Sequence, residues 1–274
     1  MHRQFIITLA ILLFASLGLS CSALPRPDSL TWRLLLEIDA AGSDRDAVVK
    51  RTVTVIERRL DDLGIHNSRV VAQGTPLNGR ILVSLPNVAD HERLKQIITA
   101  GGLLELAAVV SPPSPAPVQT YKTKEEALIS LGDKAPDNRR VLPNVERAEP
   151  TTGSRNAEKS WVVVEVPAIV NGGELRTADA VQSAGDADVY QILFSLRPEG
   201  ANKLGAWTSS HINNYLSVVL NGEVKTIAYI RTQILDQGEI NGRFTKQSAE
   251  DLALVLRSGA LPAPVKIVEE TAIR

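Results

Sequence analysis

Cysteine is almost absent from this chain. Cys21 is the only one among 274 residues, so no disulfide can form within the molecule. Aromatic residues make up 4%, too few to build the stacking platforms that hold single-stranded nucleic acid. Neither sign of charge dominates: 30 Lys and Arg stand against 31 Asp and Glu. A net charge of −1 gives no global field toward nucleic acid or an anionic lipid surface. His66, His91 and His211 lie far apart, without the close spacing of a local metal motif, so no metal or other cofactor is expected. There is no Gly-x-Ser-x-Gly elbow, and Gly172-Gly173 leads into nothing like the Gly-Lys-Ser of a phosphate loop. Asp61-Asp62 and Glu250-Asp251 are neighbours on predicted helices, where adjacent side chains point about 100° apart, and they read as solvated faces. With Cys21 committed to the N-terminus, no usual nucleophile has a setting, and the chain is expected not to be an enzyme.

Apolar residues are plentiful, at 44%, which suits a globular chain with a substantial core in one large domain or two smaller ones. The N-terminus is different in kind. His2 and Arg3 precede the apolar run Phe5 to Ala15, and the small residues Ser16, Gly18 and Ser20 follow, which is the pattern of an export signal. The 17 residues from Phe5 to Cys21 sit at the lower limit for spanning a bilayer. Leu17-Gly18-Leu19-Ser20-Cys21 resembles a lipoprotein signal box, although Gly18 stands where an aliphatic residue is usual. Three readings stay open: a lipid anchor on Cys21, an uncleaved anchor helix, or simple secretion. All three place the folded part outside the cytoplasm, with the positive end inside.

Beyond a polar spacer at 22–30, Trp32, Leu34, Leu36 and Ile38 alternate as a strand. Ser43 or Asp44 can cap the helix that follows, in which Val49, Val53, Ile56, Leu60 and Leu63 form one apolar face before Gly64 ends it. Strands at Val70-Val71 and Ile81 to Leu85 flank an Asn78-Gly79 turn. A second helix starts at Asp90 and ends at Gly101-Gly102, and Leu103 to Val110 is an apolar strand. The order β-α-β-β-α-β is that of a split βαβ, or ferredoxin-like, unit. RNA-recognition modules share it, but this chain lacks their aromatic strand and basic charge. Four prolines between 112 and 117 mark a stiff hinge, and 132–160 reads as polar loop after a short helix at Thr123 to Leu131. Strands are expected at Trp161 to Val166 and Tyr190 to Leu196, then a helix from Pro198 to about Tyr215. A hairpin turns at Asn221-Gly222, Ile240 to Phe244 is a strand, Thr245 caps a helix stopped by Gly259, and Val265 to Val268 is a last strand.

Several segments in order resemble one family. Phe194-Ser195-Leu196 with Glu199-Gly200-Ala201, Val218 to Val224, Gly238 to Thr245, and Leu256-Arg257-Ser258-Gly259-Ala260-Leu261-Pro262-Ala263-Pro264 are similar to the motif series of SecD, a subunit of the bacterial Sec export system. Val53 to Ile65 and Ile81 to Val88 resemble its R-x-x-x-L-G-I and I-x-V-x-L-P-x-V elements. Leu36 to Gly42 departs from the family, lacking its double glycine. The resemblance implies an α+β fold: a ferredoxin-like base with an inserted α+β head, behind an N-terminal signal or anchor helix. The expected division is 1–21 signal or anchor, 22–30 spacer, 31–110 first part of the base, 111–160 hinge and loop, 161–260 head, and 261–274 the strand that returns to the base. The family's proton-conducting membrane helices have no counterpart before Arg274, so the chain is expected to lack that motor. Leu256, Arg257, Gly259, Ala260, Leu261, Pro262 and Pro264 are expected to be structural, ending a helix and carrying the chain from head to base. The implied partners are unfolded exported polypeptides, and the Sec channel or a SecD/SecF-like membrane subunit. Substrate-binding residues are not identified, and a structural envelope lipoprotein that binds one folded partner is the alternative.

Overall fold

The computed structural model describes residues 30–39, 44–74, 79–146, 158–184 and 186–272. Cys21 and the export segment lie outside the described residues. The architecture is mixed α+β, with several sheets and five α-helices among the described residues.

The first sheet follows from strict alternation. In β1 (Trp32–Ile38) residues 32, 34, 36 and 38 are buried, while Arg33 and Glu37 face out. β1 pairs antiparallel with β3 (Arg80–Leu85), which pairs with β2 (Arg69–Gln73). α1 (Arg45–Asp62) and α2 (His91–Thr99) lay their apolar stripes on the buried face, where Ile56, Leu60, Leu94 and Ile98 meet Leu34, Leu36, Ile81 and Val83. Asp90 caps α2 by accepting from the Arg93 N–H at 2.9 Å.

The fourth strand of this sheet is not Leu103 to Val110. It is β13 (Val265–Ala272), which joins the free edge of β1 to give the order β13-β1-β3-β2. The apolar stretch instead forms β4 (Leu104–Ala108), buried on both faces: Leu104 and Leu106 enter one core and Ala107 another. A strand largely buried on both faces, with its one charge, Glu105, held by Arg140 at 2.9 Å, belongs inside a sheet. β4 lies inside a six-stranded sheet, with β5 (Arg139–Glu146), β6 (Glu158–Glu165), β7 (Val170–Asn171), β10 (Tyr215–Leu220) and β11 (Glu223–Tyr229), in the order β6-β5-β11-β10-β4-β7. The sheet curls until Val109, just past β4, bridges Val164 of β6.

The whole of 132–160 reads as loop in the sequence, yet β5 lies within it and β6 begins there at Glu158. Pro143 interrupts the strand pattern and carries no N–H, but it sits opposite Trp161 in an otherwise regular antiparallel ladder. A three-stranded sheet, β12-β9-β8, is built from β8 (Leu175–Ser183), β9 (Asp186–Leu196) and β12 (Gln237–Phe244). α4 (Pro198–Ser210) is shorter than its sequence pattern: His211 takes its C-cap and Asn213 turns at φ 71°. α5 (Lys246–Ser258) is capped by Thr245 Oγ1, which accepts from the Ser248 N–H at 3.2 Å. The largest core fills the space between the three-stranded sheet, one face of β4 and β10, and helices α4 and α5. α3 (Lys124–Ile129) packs on β5 and β6. Among the described residues, no helix is long and apolar enough to cross a membrane.

Candidate functional site

α5 has two buried faces. Ala249, Ala253 and Leu256 pack into the core under β8 and β9, whereas Leu254 and Val255 meet Ile97 of α2, beside Leu63 and Ala100. The helix is therefore shared between the four-stranded unit and the larger body. At its C-terminal end lies Arg59, the largest side chain with no exposure at all. Its Nη1 donates to the carbonyls of Ile97 (2.8 Å), Ile98 (3.3 Å) and Ala100 (2.6 Å). Its Nη2 donates to Gly259 (3.0 Å) and its Nε to Ser258 Oγ (3.1 Å). The guanidinium thus closes the C-terminal ends of α2 and α5, where carbonyls lack helical partners and the helix dipoles are negative. Burial pushes its pKa down to about 10, which leaves it protonated at neutral pH. Gly102 makes the approach possible: its φ is +69°, and a Cβ there would stand 2.9 Å from Val255 Cγ1 and 3.3 Å from Arg59 Nη2.

The motif from Leu256 to Pro264 runs through this joint. Leu256 is buried in the large core, and Arg257 reaches back to the Ala178 carbonyl of β8 at 2.7 Å. Gly259 is the C-cap of α5. Ala260 is half-buried, and Leu261 enters the core of the four-stranded unit while its N–H donates to the Gly101 carbonyl at 2.8 Å. Pro262 is exposed, and the Pro264 carbonyl accepts from the Asp39 N–H at 2.9 Å as β13 begins. On the surface of the same joint, Arg93 of α2 holds Asp251 of α5 at 2.7 Å, and this bond raises the Arg93 pKa. Asp251 is therefore not the freely solvated carboxylate expected from its position beside Glu250.

A second feature lies between the sheets of the larger body. Where β10 and β11 face β12 there is a cleft of about 440 Å³, with Leu106, Phe194, Leu204, Leu216, Val218 and Ile234 in its walls and Thr226, Gln237, Glu239 and Asn241 at its rim. Gly238 shapes it. Gly238 pairs across the ladder with Phe194, and a Cβ on it would stand 2.4 Å from Phe194 Cζ. Only glycine lets the phenyl ring lie across β12.

His66, His91 and His211 are dispersed. His66 lies 3.7 Å from Asp61 on the surface, His91 stacks on Trp32, and His211 stacks on Trp207. Among the described residues, no group of three His, Cys, Asp or Glu side chains is placed to hold a metal ion. Sequence reasoning missed Arg59, although a signal was present. It follows Thr52 and Ile56 at helical spacing, which puts a cation on the buried stripe of α1. It also missed Glu174, buried at 7% exposure, which caps its own turn at Asn171 N–H and binds Lys203 of α4.

These features define the class: an α+β module in which two packed bodies share one helix through a buried arginine joint. Family models place it more narrowly. Residues 49–111 match the P1 domain, N-terminal, of protein translocase subunit SecDF, and residues 147–263 match the SecDF P1 head subdomain. The chain is 34% identical over 230 residues to protein translocase subunit SecD of Koribacter versatilis (strain Ellin345), covering 84% of this chain and 39% of that protein. It is 34% identical over 227 residues to SecD of Aquifex aeolicus (strain VF5), covering 82% and 40%. The chain thus spans about two fifths of the length of these curated relatives. A solved structure from work on SecDF as a membrane component that enhances protein export superposes with TM-score 0.63 at 28% identity, covering 88% of this chain and all of that one. SecDF in a super-membrane-facing form gives TM-score 0.64 at 27% identity, over 88% of this chain and 30% of that one. The chain belongs to the SecD family and carries its P1 region.

Proposed function

We propose that this protein is an envelope-facing, client-binding module of Sec-dependent protein export, holding unfolded or emerging polypeptides without catalysis. The observation that carries the reading is the apolar cleft between the β10–β11 and β12 strands, in a body that matches the P1 head of a translocase subunit. An unfolded chain differs from a folded one in exposing apolar side chains and free main-chain groups together, and a cleft beside strand edges can take both. The relatives are translocase subunits, and the SecDF of the solved structure enhances protein export, which points to the same work here.

In this reading the base is a ferredoxin-like split βαβ unit, supported by the order β13-β1-β3-β2 with both helices on one face. The head is inserted between α2 and β13, roughly 161–260, with 111–160 leading into it. The N-terminal apolar segment, through Cys21 or as a helix, fixes the module to the membrane with its folded part outside the cytoplasm. The Sec channel or a SecD/SecF-like membrane subunit is its neighbour. The motif from Leu256 to Pro264 then has a structural role, setting the head on the base. A photo-crosslinking residue at Ala228, which pairs with Leu216 on the cleft face of β11, is expected to capture many different exported chains in growing cells while export is under way. Capture of one folded envelope protein, with no chain in transit, would overturn the reading.

A further inference from the structure

β11 and β12 come alongside each other without pairing. On the side away from β10, the pairing of β11 with β5 among the described residues is at Val224–Asn144. Two residues further on, the contact with β12 is made by a side chain: the Asn241 N–H donates to Thr226 Oγ1 at 3.1 Å, and that hydroxyl lies 3.4 Å from the Asn241 carbonyl. Both main-chain groups of Asn241 therefore point away from β9 and end on one hydroxyl. In a continuous antiparallel sheet, the main chain of a neighbouring strand would stand there. The apolar cleft opens beside this gap, with Ala228 on the β11 side and Gly238 on the β12 side.

We infer that the β11–β12 gap is a strand-insertion site. An extended segment lies along β12, its main chain takes the place of the Thr226 hydroxyl at Asn241, and every second side chain enters the cleft. The inference rests on the client-binding reading above and adds its mode and its selectivity. Main-chain bonding makes the site tolerant of sequence, while the cleft demands apolar residues at alternate positions. Charge narrows the choice further. Among the described lining residues Glu239 alone is charged, its carboxylate held by the neutral amides of Gln191 at 3.4 Å and Asn241 at 2.9 Å. The occupant that complements this rim is an extended polypeptide with alternating apolar residues and a Lys or Arg beside them.

The test uses the purified chain and a fluorescent peptide of alternating Leu and Ser with a flanking Lys, read by anisotropy. N-methylation of one alternate set of peptide amides is expected to weaken binding at least tenfold, and methylation of the other set to leave it unchanged. Thr226→Val removes the competing hydroxyl and is expected to bind about fivefold tighter, equivalent to about 1 kcal/mol, whereas Thr226→Ser keeps the parent affinity. A Glu flank in place of Lys weakens binding, and Glu239→Gln narrows that difference. Equal binding of both N-methylated peptides, with Thr226→Val unchanged, would overturn strand insertion and leave client binding standing. Absence of binding by every peptide would remove the client-binding reading itself.

Discussion

Arg59 carries a charge into the interior, and none of its five acceptors is a carboxylate. Buried charge is costly unless its donors are used, and here the guanidinium fork is spent on carbonyls that two helix ends cannot satisfy themselves. Replacing it by Met would leave those oxygens buried without a donor. Arg59→Met is expected to lower unfolding free energy by about 3 kcal/mol or more, read from the urea midpoint. Arg59→Lys, with the charge but not the fork, should recover only part of this, and an unchanged midpoint in both would contradict the account. Arg59 was legible in principle, because the helical period of α1 puts it on the apolar face. Its partners were not: Ser258 and Gly259 lie about 200 residues away, and no local pattern announces a contact at that separation. Gly238 shows the same limit. It stood in a recognisable motif, but its reason is the ring of Phe194, on another strand.

Elements with a strong period were read correctly, as in β1, α1, α2 and α5, because alternation or an apolar stripe reflects one buried face. β8 escaped because its inward residues are small. Ala178 is fully buried against α5, where a close helix–sheet approach needs alanine rather than a large apolar side chain, and this weakens the sequence signal. β4 was recognised as a strand but expected in the wrong sheet, since an apolar run records burial on both faces and not the identity of the neighbours. β13 is tied to α2 by a polar cluster as well as by its ladder to β1. Glu270 accepts from Lys95 at 2.9 Å and from Trp32 Nε1 at 3.2 Å, and Lys95 holds its pKa below the ordinary carboxylate value. The stabilisation from a lowered carboxylate is complete above its unfolded value and is lost as pH falls through the folded one. Native protein and Glu270→Gln should therefore differ in denaturant midpoint at neutral pH and converge on acidification. A difference that stays constant down to the acid limit would show that the pairing contributes nothing.

At the scale of the molecule, α5 makes one structure of two bodies. Its Ala face belongs to the core below β8 and β9, its Leu254–Val255 face belongs to α1 and α2, and its last turn ends on Arg59. The motif running from Leu256 to Pro264 continues directly from that helix into β13, so the segment that marks the family also carries the chain from the large core to the four-stranded sheet. The walls of the cleft are side chains drawn from β4, β9, β10 and α4. What such an arrangement can do is hold an extended apolar segment. The most direct measurement is a titration of the purified chain with a reduced, unfolded exported protein, beside the same protein folded. The account predicts binding of the unfolded form in the micromolar range, about −8 kcal/mol, and loss of most of it in Gly238→Ala, whose new methyl displaces Phe194 in the cleft wall. Equal affinity for folded and unfolded forms, or no binding to either, would contradict it.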